Sequence, residues 1–139
     1  MIFTSHVDLY PNGGKVQPGC DQERLTAGIF HGPFEGTRRL VACNHQRAVD
    51  YFIDALDTTI PLPKAYLCDS YEDFKAGKCT DCGNNGEKCV ILGPRDIEYK
   101  NSVSDVNQGE DTTNGKRFFM VTGQHEPLLN SEFSFFLEK

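Results

Sequence analysis

Six cysteines, Cys20, Cys43, Cys68, Cys79, Cys82 and Cys89, lie between positions 20 and 89 of a 139-residue chain. An even number at that density reads as a disulfide framework formed in an oxidising compartment, and covalent loops then limit how the chain can fold. Spacing alone does not choose among the roughly fifteen pairings open to six cysteines. Joining Cys20 to Cys43, Cys68 to Cys79 and Cys82 to Cys89 gives three separate, un-nested loops. Cys79 and Cys82 also form a C-x-x-C, so the competing use is a zinc module in which Cys68, Cys79, Cys82 and Cys89 supply four thiolates. The outer two cysteines make no second C-x-x-C knuckle.

The length suits one modest domain. With 14 Lys and Arg against 20 Asp and Glu the formal charge is −6, which disfavours phosphate backbones, so nucleic acid is not an expected partner. Apolar runs such as Phe135-Phe136-Leu137 fall far short of the roughly 20 residues of a bilayer span. The cysteines point to secretion, yet Met1-Ile2-Phe3-Thr4-Ser5-His6 offers neither a basic n-region nor an apolar h-region. The expectation is a piece of a longer secreted protein whose signal and first part precede Met1.

His6-Val7-Asp8-Leu9-Tyr10 alternates polar and apolar side chains and runs into Pro11-Asn12-Gly13-Gly14, which predicts a strand and a turn. Residues 20–43 carry Gly28, Gly32, Pro33 and Gly36 among Leu25, Ile29, Phe30, Phe34, Leu40 and Val41, and read as a long, greasy loop. If Cys20 and Cys43 pair, that loop is closed at its neck and can move as a flap. From Asn44 the apolar positions Ala48, Val49, Phe52, Ile53 and Leu56 recur at helical spacing. Asn44 is a natural N-cap, so His45 is expected in the first turn, where the helix dipole keeps its imidazole neutral. Little regular structure is expected over residues 61–89, and a polar surface loop over 93–116. Residues 117–121 predict a strand, and Phe133, Phe135 and Leu137 the start of another.

His45 is the sharpest candidate for a catalytic base, against the plainer reading of a surface histidine. No G-x-S-x-G occurs, and Ser5, Ser70, Ser102, Ser104, Ser131 and Ser134 all lack the context of a nucleophile elbow. His6 and Asp8 share one strand face and could form a metal or acid–base pair, or simply a local hydrogen bond. His31 and His125 have no evident partners. Asp105, Glu110 and Asp111 lack the spacing of a calcium loop, and the chain has no N-glycosylation sequon.

Several ordered motifs carry a resemblance: residues 6–14, then Gln17-Pro18-Gly19-Cys20, Glu35-Gly36-Thr37-Arg38, Ala42-Cys43-Asn44-His45-Gln46-Arg47, Cys68-Asp69-Ser70-Tyr71, Lys78-Cys79, Cys82, Cys89 and residues 118–123. Together they resemble the pancreatic-lipase-like family of secreted animal lipases. The resemblance implies an α/β fold, here a partial α/β hydrolase: last core strand, disulfide-closed lid, histidine helix, cysteine-rich loops and final strands. It places the triad histidine on His45, which takes the serine's proton and returns it to the leaving alcohol. It makes Cys20–Cys43 the lid disulfide, with Cys68–Cys79 and Cys82–Cys89 the next two, and Leu25, Ile29, Phe30, Phe34, Leu40 and Val41 the greasy lid face. Phe34 stands near the place where the family's lid often carries a tryptophan, which this chain lacks.

The same resemblance puts the serine, the triad aspartate, the oxyanion donors and any calcium site before His6, so this chain holds no nucleophile, no acid and no cofactor site. Residues 1–123 are then the C-terminal portion of a catalytic domain, with lid 20–43, and 124–139 a terminal strand or linker start. The implied parent is an extracellular hydrolase of lipid esters at an oil–water interface. The 22 residues between Cys20 and Cys43 resemble long-lid forms that favour triacylglycerol over phospholipid. The chain by itself is expected to be inactive and to need the missing N-terminal part. Two rivals remain: a non-catalytic disulfide-rich binding module or lipase-derived pseudoenzyme, and the zinc module.

Overall fold

The computed structural model describes residues 7–61, 64–95, 116–124 and 127–129. His6, His125, the acidic residues at 105–111, five of the six serines and the strand expected at 133–137 lie outside them.

Four short strands build one mixed sheet: β1 (Val7–Pro11), β2 (Lys64–Leu67), β3 (Cys89–Ile91) and β4 (Lys116–Met120). Their order is β1-β4-β2-β3. β1 runs parallel to β4 with Leu9 beside Phe118, while β2 is antiparallel to both β4 and β3. The strands read in residues 6–10 and 117–121 each present two faces. Leu9, Ala65, Leu67, Val90, Phe118 and Met120 join Tyr51, Ala55 and Ile60 in one cluster. Tyr10, Tyr66, Phe119 and Val121 point the other way and meet Tyr71, Phe74, Cys68 and Cys79. There Phe74 stacks at 6.1–6.4 Å from the Tyr66, Tyr71 and Phe119 rings, within the range where aromatic pairs attract.

Two helices, α1 (Cys20–His31) and α2 (Pro33–Leu56), form a hairpin turned at Gly32, whose φ of 89° suits glycine. This corrects two expectations. Residues 20–43 are helical rather than a loop, and the helix bearing His45 begins at Pro33, not at an Asn44 cap. Pro33 is favoured at the first helical position, where its missing N–H costs nothing. Gly36 is buried inside the helix, where a small residue lets the two helices approach. α2 packs Tyr51 and Ala55 onto the sheet, and a Cβ at Gly93 would lie 2.7 Å from that of Ala55, so the chain leaving β3 needs glycine there. The far end of α2 is fastened twice. Asp54 accepts hydrogen bonds from the Leu128 and Leu129 amides (2.6 and 3.3 Å), and Arg95 donates to the Asp57 and Ile60 carbonyls.

Residues 61–89 are more regular than expected, holding β2 and the one-and-a-half-turn α3 (Tyr71–Lys75). Ser70 caps α3 by accepting from the Asp73 amide at 3.1 Å. Disulfides join Cys20 to Cys43, Cys68 to Cys79 and Cys82 to Cys89. No cysteine is free, which removes the zinc module: thiolate ligands need sulfurs that are not already bonded to each other.

Candidate functional site

Where α2 passes the carboxyl ends of the parallel strands β1 and β4, a ring of four polar side chains is closed. Asn12 donates through Nδ2 to Gln17 Oε1 (2.7 Å) and to Thr122 Oγ1 (2.8 Å). Thr122 donates to the Tyr51 hydroxyl, and Tyr51 donates to Gln17 Oε1, each at 2.8 Å. Gln17, Tyr51 and Thr122 are all under a tenth exposed. Buried polar groups are tolerated when their bonding capacity is met, and here it is. Burial pushes the Tyr51 pKa up against the opposing effect of the Thr122 hydrogen bond, so the phenol is a neutral donor at neutral pH. Asn12 adopts a left-handed φ of 52°, which asparagine tolerates better than most residues.

Gln17 extends the ring into both helices. Its amide donates to Asn44 Oδ1 at 2.7 Å, its carbonyl accepts from the Cys20 amide at 3.1 Å, and its Nε2 donates to the Pro11 and Lys15 carbonyls. Asn44 is thus a tether to the segment before α1, not a helix cap. Arg47 adds a second tie by donating to the Pro18 carbonyl at 3.2 Å.

His45 follows Asn44 on α2 and is exposed. It stands in the middle of the helix rather than the first turn, so the dipole argument for a neutral imidazole does not apply to it. At 100° per residue, Val41, His45, Val49, Phe52, Ile53 and Leu56 fall within about a third of the helix circumference. All five apolar members of that stripe are exposed. Among the described residues no carboxylate or serine hydrogen-bonds His45. Ser70, the one described serine, is occupied with Asp73.

Of the greasy positions on the hairpin, Leu25, Ile29, Phe30, Phe34 and Val41 are exposed, Phe34 to 83%, and Leu40 is half-buried. Leu25, Ile29, Pro33 and Thr37 line a groove of about 290 Å³ on one side of the hairpin. His31, Phe30 and Arg39 line one of about 400 Å³ on the other. Glu35 in the first turn of α2 bonds Arg38 (2.8 and 2.9 Å) and Arg39 (3.1 Å). These two guanidiniums, Arg38 foremost, hold its carboxyl down at about 2. Among the described residues no three His, Cys, Asp or Glu side chains converge as a metal site would require.

The sequence profile of the Lipase family matches residues 2–128. The chain belongs to the Lipase family. Relatives include mouse inactive pancreatic lipase-related protein 1, 33% identical over 88% of this chain and 24% of that protein. Guinea pig pancreatic triacylglycerol lipase is 34% identical over 85% of the chain and 23% of that lipase. Mouse lipoprotein lipase is 41% identical over 63% of the chain and 18% of its own length. The chain thus spans about a quarter of the length of these two pancreatic relatives. Membership of the Lipase family implies an α/β-hydrolase fold, and the described residues form a mixed sheet with helices and three disulfides. Among them no helix is long and apolar enough to cross a membrane.

The ring of Asn12, Gln17, Tyr51 and Thr122 is the feature that sequence reasoning missed. Tyr51 and Thr122 carry no local signal, and only the fold brings them beside the Pro11–Gly14 turn.

Proposed function

We propose that this chain is the histidine-bearing part of the catalytic domain of a secreted lipase that hydrolyses lipid carboxylic esters, with triacylglycerol favoured over phospholipid. Residues 1–123 form the C-terminal portion of that domain, and 124–139 a terminal strand or linker start. His45 is the general base of a Ser-His-Asp triad whose serine and aspartate come from upstream sequence. Its imidazole takes the proton of the serine hydroxyl as that oxygen attacks the ester carbonyl, then delivers it to the departing glyceride alkoxide. A water repeats the sequence to release the fatty acid and restore the serine. The hairpin 20–43 is the lid, and Leu25, Ile29, Phe30, Phe34, Leu40 and Val41 are its lipid-facing side chains at an oil–water interface.

The observation that carries this reading is the setting of His45: exposed, two residues past the Cys20–Cys43 link, and centred in an apolar stripe that nothing among the described residues covers. The free edge of β1, which among the described residues pairs only with β4, suits a sheet that continues with strands from upstream.

The test uses the longest polypeptide encoded in frame with this chain, assayed on emulsified triacylglycerol and on phosphatidylcholine. His45→Ala is expected to lower kcat by about 10⁴-fold or more with KM little changed, since loss of one triad member disables the set. Triacylglycerol turnover that survives the substitution sinks the proposal. A second reading, a non-catalytic member of the family, is favoured by the mouse and human relatives named as inactive, at 33% and 32% identity. It predicts no hydrolysis by the wild-type polypeptide.

A further inference from the structure

We infer that Gln17 is a positioning residue for His45, acting as a clamp that fixes the register and rotation of α2 at the base of the hairpin. The inference rests on the proposed role of His45 as a general base.

Two of the clamp's bonds grip α2 directly. Asn44, the residue before His45, accepts from the Gln17 backbone N–H at 2.7 Å, a bond that substitutions of the side chain leave in place, and Tyr51 donates its hydroxyl to Gln17 Oε1 at 2.8 Å. Asn44 and Tyr51 are seven residues apart, two helical turns, and therefore share one face. Holding a helix at two points on one face stops it from both sliding and rolling. His45 lies about 100° round the helix from Asn44 and about 120° from Tyr51, and no described residue bonds the imidazole itself, so its direction is set by that grip.

Gln17 is in turn tied to the sheet. Its side-chain amide donates to the Pro11 carbonyl at the end of β1, and its Oε1 accepts from Asn12, which also donates to Thr122 and accepts from the Thr122 amide just past β4. The bonds therefore run from the ends of the two parallel strands to the helix that carries His45, through Gln17 and, beside it, through the Thr122–Tyr51 hydrogen bond. In open α/β sheets the carboxyl ends of parallel strands are where ligands are held. A base referenced to those ends is referenced to whatever the sheet presents there.

The same residue marks where the hairpin stops being fixed. The Gln17 carbonyl receives the first amide of α1, while from Leu25 to Val41 the large apolar side chains are mostly exposed. The tip can change its contacts without disturbing the base, and His45 lies on the base side of that division.

The test is made in the same in-frame polypeptide with Gln17→Leu, Gln17→Glu and Tyr51→Phe. Gln17→Glu keeps the acceptor oxygen but turns a carboxylate toward the Pro11 and Lys15 carbonyls. Tyr51→Phe removes a single hydroxyl and is the variant least able to prevent folding. Misplacement by about 1 Å costs roughly 10²-fold in rate, so Gln17→Leu is expected to lower kcat about 10–100-fold at unchanged KM per folded molecule, with Tyr51→Phe lower by a smaller factor. Gln17→Glu should regain part of its rate at acid pH relative to wild type, as its carboxyl gains a proton to donate. Amide exchange over residues 43–51 should quicken in all three. Rates per folded molecule equal to wild type overturn the inference. A wild-type polypeptide without hydrolysis sinks the proposed function instead, and the clamp is then judged by exchange alone: unaltered protection of residues 43–51 in Gln17→Leu overturns it.

Discussion

Asn12 and Gly13 show how much a single backbone conformation controls here. Both take positive φ, 52° and 73°, and together they turn the chain sharply off the end of β1. Asn12 is placed to bond Gln17 and Thr122, while Gly13 comes so close to α3 that a Cβ would lie 2.5 Å from Tyr71 Cδ1. Gly13→Ala meets both a left-handed backbone and that ring, and is expected to destabilise the fold by about 1–3 kcal/mol, measured by urea unfolding. An unchanged midpoint would show that Tyr71 moves freely aside. The Pro11–Gly14 turn was legible in the sequence from its punctuation. The purpose of Asn12 was not, because turn signals report backbone shape and say nothing of a partner 110 residues away.

Among the elements, β1 and β4 were readable: apolar and polar side chains alternate in Val7–Leu9, and Phe118–Val121 is a short apolar run of strand length, which suits a strand covered on both faces. The hairpin was not, since Gly28, Gly32, Pro33 and Gly36 carry the signs of a loop. Only Gly32 breaks the helix. Pro33 opens α2, and Gly36 is buried within it, so residues usually read as breakers serve as a hinge, a start and a contact. The helix that bears His45 was legible from its apolar spacing and its start misplaced, by the same error. The hairpin's ends are held by Cys20–Cys43, 23 positions apart. A Cys20→Ser/Cys43→Ser pair is expected to lower stability by about 3 kcal/mol and to speed protease cutting within residues 21–42, read by mass of the fragments. Cutting at the wild-type rate would mean that the Gln17 ties alone hold the neck.

For the molecule as a whole, the notable property is what it leaves uncovered. α2 buries one face on the sheet and exposes Val41, Val49, Phe52, Ile53 and Leu56 on another, a contiguous apolar patch of the kind that monomeric proteins rarely display. Under the proposed function the remainder of the catalytic domain covers it. The chain expressed by itself is therefore expected to bind hydrophobic dyes and to associate as its concentration rises. Phe52→Gln with Leu56→Gln should bring its sedimentation mass down toward the 15.6 kDa of one chain. A wild-type chain that stays monomeric and dye-free would show the stripe to be covered from within.

The polar ring has a consequence for synthesis. Its four members are strung from position 12 to position 122, so during translation at about 5–20 residues per second Thr122 is made roughly 5–20 s after Asn12. For the last roughly 2–7 s of that interval both helices of the hairpin and all six cysteines have been made, while the ring still lacks its last member. The nascent hairpin can thus be sealed by oxidation before its base has been aligned, and alignment waits for one of the last strands to arrive.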